Sequence, residues 1–142
     1  MRRAALMLGL TLALGACRAD ESVAAYGAGE TLWQLVRIDG APFEAHATMR
    51  FGESGAVFGQ APCNSFSARQ SAPYPWFELG PIRATKRACP DLEAEARFFA
   101  SLGEMTLSEV SGTVLVLSND AGRSMEFRAE NGTENGAETA AE

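Results

Sequence analysis

Histidine and cysteine are scarce in this chain, with one His and three Cys among 142 residues. Neither a C-x-x-C nor an H-E-x-x-H spacing gathers those few into a metal site. A surplus of positive charge is missing as well. Twelve Lys and Arg stand against 18 Asp and Glu, a formal net charge of −6 with a pI near 4.8. Nucleic acid is thereby excluded as a partner, because phosphate binding needs a clustered basic excess. Length is the third shortage, since 142 residues support one hydrophobic core and leave no room for a two-domain enzyme. The serines lack a G-x-S-x-G elbow, the carboxylates lack a paired context, and no glycine-rich phosphate loop follows a strand. The expectation is a non-enzymatic protein with no catalytic, cofactor-binding or metal-ligating residues. What is present, 46% hydrophobic and 21% charged residues, is ordinary material for a globular domain.

The N-terminus carries information of a different kind. Arg2 and Arg3 precede an apolar stretch, residues 4–16, that ends in small residues, the pattern of a cleaved export leader. Thirteen helical residues cover about 20 Å, short of the roughly 30 Å hydrocarbon core of a bilayer, so a stable membrane span is not expected. Leu14, Gly15, Ala16 and Cys17 resemble the lipobox of bacterial lipoproteins. That resemblance implies acylation of Cys17 and cleavage before it, with several acyl chains on one residue, more than stable anchoring requires. Loss of the leader takes Arg2 and Arg3 from the 12 basic residues and leaves all 18 acidic ones, a net charge of −8. The chain would then be held at an anionic membrane by its lipid and not by its charge. By the same resemblance, Arg18, standing where enteric-type sorting uses Asp to retain lipoproteins in the inner membrane, implies the outer membrane, with the domain in the periplasm.

Residues 18–29 are small and polar, with Val23 and Tyr26 the only larger apolar groups, and read as a flexible tether. Residues 129–142 carry two copies of Glu-Asn-Gly and read as an acidic disordered tail. Between them, residues 30–128 are punctuated like a small antiparallel β protein. Strands are expected over 32–38, closed by the Asp39-Gly40 turn, then 48–51 and 56–59 around Glu53-Ser54-Gly55, then 66–71 and 76–79 around a proline-rich turn. A closing meander is expected over 106–110, 113–117 and 124–127. Leu92, Ala96, Phe99 and either Leu102 or Gly103 recur at helical spacing after Pro90 and Asp91, which predicts one amphipathic helix over 91–104. Glu93 and Glu95 fall in its first turn, where the helix dipole favours acids. The fold class is therefore α+β, a small antiparallel barrel-like sheet with one amphipathic helix packed across it.

With Cys17 acylated, Cys63 and Cys89 are the remaining sulfurs in an exported chain, and an even remainder in an oxidising compartment is most simply a disulfide. Closing a loop of about 27 residues is worth ~3.5 kcal/mol in the chain-entropy treatment. The alternative is a reactive thiol with His46 as its base, for which the sequence supplies no third orienting residue.

The same cysteines carry a second resemblance. Trp33 and Leu35, Phe51, Gly59, Cys63-Asn64-Ser65-Phe66, Thr85-Lys86-Arg87-Ala88-Cys89, Glu95, Phe99, Leu102 and the closing Leu115, Leu117, Gly122 and Phe127 together resemble the META domain of HslJ-like, heat-inducible lipoproteins. Asn64, Phe66, Thr85 and Ala88 are the motif residues around the two cysteines. The chain departs from the pattern at Pro62, where the family has Gly, and at Ala68 and Gln70, where it has the Gly and Tyr of Phe-x-Gly-x-Tyr. The resemblance implies no catalytic residues. It implies an envelope lipoprotein with a binding or structural role in stress tolerance, or a lipid-binding, pilot-like chaperone in secretion, since META folds resemble cracked-barrel pilot lipoproteins that bind acyl chains. The acidic charge and small size motivate a third role, inhibition of a cationic enzyme such as a lysozyme. Partners implied are the membrane, through the N-terminal lipid, and an unidentified protein or apolar ligand. Asn64 is read as a brace for its loop, and Thr85, Lys86 and Arg87 as either a solvated turn or a docking patch for an acidic partner.

Overall fold

The computed structural model describes residues 19–130. Nine strands and one α-helix follow in the order β1 (Trp33–Ile38), β2 (Ala41–Pro42), β3 (Thr48–Phe51), β4 (Ala56–Gln60), β5 (Ser65–Arg69), β6 (Arg83–Ala84), α1 (Leu92–Glu104), β7 (Leu107–Ser111), β8 (Val114–Ser118) and β9 (Ser124–Ala129). One antiparallel sheet runs β6-β5-β4-β3-β1-β9-β8-β7, with β2 paired to β1. The period-2 pattern decides which side chains point inward. Leu115 and Leu117 on β8, and Met125 and Phe127 on β9, alternate with half-buried neighbours and are fully covered. On β1 the alternation changes phase. The pairing with β9 shifts between Leu35 and Arg37, and this irregularity brings Ile38 into the core where strict alternation would place Arg37. The Asp39-Gly40 turn has φ values of 52° and 77°, the left-handed pair that a two-residue hairpin requires.

The sheet curls without closing. Residues 70–80 form a strap between its two ends, bonded to β5 through Gly80 N to Arg69 O (2.8 Å) and to the β7 side through Phe77 N to Thr106 O (2.8 Å) and Ser108 N to Pro75 O (2.7 Å). The strand expected over 76–79 is corrected here, since only single bridges form, Gln70 to Leu79 and Trp76 to Leu107. Trp76 and Phe77 bond to the β7 side while Glu78 and Gly80 bond to the β5 side, so no single partner strand supports a continuous ladder. Likewise β5 ends at Arg69, not at residue 71.

Two further differences concern what enters the core. Val23 and Ala28, inside the stretch read as a tether, are fully buried. Ala28 also accepts a hydrogen bond from Trp33 Nε1 (2.9 Å), the polar handle of the largest core side chain. Two small apolar residues and one carbonyl suffice to seat residues 22–29 on the domain, which a count of bulky residues missed. On α1 the buried face is rotated by about one residue from the expected stripe. Glu95, Phe98, Ser101 and Leu102 are buried, Ala96 is exposed, and Leu92 is 46% exposed. Phe98 packs edge-on against Phe66 of β5, ring centroids 5.4 Å apart, and Phe99 lies beside both. Trp33, Leu35, Met49, Phe98, Leu102, Leu115, Met125 and Phe127 belong to one buried hydrophobic cluster contributed by helix and sheet.

Candidate functional site

The rotation of α1 has a chemical cause. Glu95 sits one helical turn before Phe98 and is 6% exposed, an expensive place for a carboxylate unless its lone pairs are used. They are used by the turn that follows β4. Glu95 Oε2 accepts the backbone N–H groups of Cys63 and Asn64, both at 2.8 Å, and Oε1 accepts Asn64 Nδ2 at 2.6 Å. The carboxylate makes no ion pair among the described residues, so its charge is held by amide dipoles alone. Charge-assisted bonds of this type are roughly twice as strong as neutral ones.

Asn64, 2% exposed, uses its whole side-chain capacity. Nδ2 also donates to the Arg87 carbonyl (3.3 Å), while Oδ1 accepts Thr85 Oγ1 (2.9 Å) and Arg87 N (2.6 Å). Cys63 and Cys89 are disulfide-bonded, with Cα atoms 5.7 Å apart. One buried amide, one buried carboxylate and one covalent bond thus tie three segments together: the turn at residues 61–64, the stretch 85–89 and the first turns of α1. The motif residues fall into place around this brace. Phe66 is buried against α1, Thr85 contributes its hydroxyl, and Ala88 is exposed between the pinned residues 87 and 89. Gln70, where the family pattern has Tyr, is buried and donates to the Ala72 carbonyl (2.7 Å), organising the strap. Cys17 lies outside the described residues.

The sequence places Glu95 in the first turn of the helix, where the dipole favours an acid, and does not show its role in the brace. The available signal was that Glu95 stands in the same set of family-resembling residues as Asn64. His46 is exposed and lines an open groove of about 860 Å³ with Phe43, Asp91, Glu93 and Arg97. Cys63 and Cys89 being joined, it faces no free thiol among the described residues.

A META domain family model matches residues 27–132, a span that contains the brace, the helix and the whole sheet. The chain belongs to the META domain family. No curated protein matches it. Among solved structures, this META domain is similar to a protein from Burkholderia xenovorans determined by NMR, with a TM-score of 0.62 at 16% identity over 92% of this chain and 99% of that one. It is also similar to a DUF4847-family protein from Bacteroides vulgatus, with a TM-score of 0.60 at 12% identity over 80% of this chain and 100% of that one. At such identities the likeness is one of fold.

Proposed function

We propose that this META domain is a non-enzymatic cell-envelope lipoprotein, anchored through Cys17 and acting by binding at its surface. The observation that carries the reading is the Cys63–Cys89 disulfide, a bond that persists in exported proteins and is rare in the cytosol. Together with the lipobox at residues 14–17 it supports export, lipidation and a periplasmic domain, with Arg18 favouring the outer membrane. The side chains with the most chemistry, Asn64 and Glu95, are engaged in holding the backbone, which supports a structural role for the family motif. The rings of Phe66, Phe98 and Phe99, packed together where α1 meets β5, favour surface binding over the lipid-carrying, pilot-like reading. Inhibition of a cationic enzyme rests on net charge alone and is the weaker reading.

The test is metabolic labelling with radioactive palmitate in a bacterial host. Label is expected in the wild-type chain and none in Cys17→Ser. Equal labelling of both chains, or of neither, overturns the anchoring proposal.

A further inference from the structure

The sheet ends on β6, a two-residue strand whose outer side is open. Residues 83–88 are all exposed. β6 pairs with β5 through Phe66 opposite Ala84 and Ser67 opposite Arg83, and the ladder extends to Thr85 N on Ser65 O (3.1 Å). Alternation in an antiparallel ladder then turns the N–H groups of Ala84 and Lys86 away from β5. This edge concentrates the positive charge of an acidic protein. Arg83, Lys86 and Arg87 line it, and Arg69 on β5 faces Arg83 across a notch of about 290 Å³ floored by Ser67 and Ala68. None of the four makes an ion pair among the described residues, Arg69 donating to the Ser54 carbonyl instead; elsewhere Arg37, Arg123 and Arg128 are ion-paired, while Arg50 and Arg97 are not.

The edge is also held rigid. Asn64 fixes both backbone groups of Arg87, Thr85 is bonded through its amide and its hydroxyl, and the disulfide closes the segment at Cys89. A strip fixed in this way loses little conformational entropy on binding.

We infer that the β6 edge is a docking site for an extended acidic peptide of a partner protein, which adds as a strand through Ala84 and Lys86 and places its carboxylates on Arg69, Arg83, Lys86 and Arg87. Strand addition supplies main-chain hydrogen bonds, and the flanking cations supply selectivity. Those cations reject β6 of a second copy, as charged residues on a sheet edge do, and the rejection reverses for a strand of opposite sign. The inference deepens the binding role proposed above. It is independent of anchoring, because palmitate incorporation and peptide binding are read out separately.

The experiment is an NMR titration of the full isotope-labelled chain in detergent micelles with a synthetic polyglutamate peptide, followed by amide hydrogen exchange. Saturable shifts are expected on Ser65–Arg69 and residues 83–88, weakening as salt is raised, with new protection at the Ala84 and Lys86 amides. The combined variant Arg83→Ser, Lys86→Ser, Arg87→Ser should bind at least tenfold more weakly while its β8 and β9 resonances stay in place. Arg37→Ala, on a different part of the surface, should bind like wild type. Shifts without protection of Ala84 and Lys86 overturn strand addition. Equal or tighter binding of inorganic polyphosphate at the same residues overturns the peptide assignment, and absence of saturable shifts overturns the site.

Discussion

Individual residues in this domain divide into those that fill space and those that hold backbone. Asn64 and Glu95 belong to the second group and are coupled, because each satisfies the other. Removing one partner leaves buried donors or acceptors unmet at about 1–3 kcal/mol each. Glu95→Ala is expected to destabilise the protein by about 3 kcal/mol and Asn64→Ala by a similar amount. Measured by urea unfolding, the double variant should cost clearly less than the two together, since the shared network is lost only once; strict additivity would show that the two act separately. Asp39 offers a pH test. It accepts the Ser124 amide (3.0 Å) and the Arg123 guanidinium (2.8 Å), and chiefly the Ser124 bond holds its carboxyl below the usual aspartate value. A carboxylate lowered in the folded state contributes stability above its unfolded pKa, about 3.9, and loses it as pH falls through the folded value. The stability difference between wild type and Asp39→Asn should therefore be constant near neutrality and shrink below about pH 4. Asn is the suitable replacement because it tolerates the left-handed conformation of this turn.

Strands were easier to read from the sequence than the helix face was. Alternating Leu115, Leu117, Met125 and Phe127 place themselves, because a strand with one buried face admits no other register. The bulge on β1 was not legible, since nothing local distinguishes Val36 from its neighbours. On α1 the buried acid masked the stripe: a periodicity of apolar residues cannot register a carboxylate held by amide groups 31 and 32 positions away. The strap forms no strand because its bonding partner changes between Phe77 and Glu78, a long-range switch that no local pattern records. Two predictions belong at this scale. Gly59 packs so closely on β3 that an added Cβ would overlap the Thr48 carbonyl, so Gly59→Ala should break the β3–β4 pairing, with a fall in thermal midpoint and loss of amide protection on both strands. Phe98→Ala, removing a fully buried ring between α1 and β5, should cost about 3–5 kcal/mol by denaturant titration.

At the scale of the whole molecule, one covalent bond and one lipid account for the proposed way of life. The disulfide ties the turn after β4 to the approach to α1, and its reduction is expected to lower stability by ~3.5 kcal/mol from loop entropy. Family membership was legible in the ordered motif, much of which the structure gathers into the brace: a cysteine pair, an asparagine whose side chain makes four bonds, and the carboxylate it serves. The seating of residues 22–29 was not legible, since Val23 and Ala28 are too small to announce themselves in a polar stretch. The central claim is an exported domain, fixed to the envelope by acyl chains on Cys17 and locked by its two remaining cysteines. Intact-mass spectrometry of the chain isolated from a bacterial envelope, before and after reduction and alkylation, tests it most directly. The account predicts a chain starting at an acylated Cys17 that takes up alkylating reagent at two positions only after reduction. An unacylated chain starting at Met1, alkylated at Cys63 and Cys89 without reduction, would contradict it.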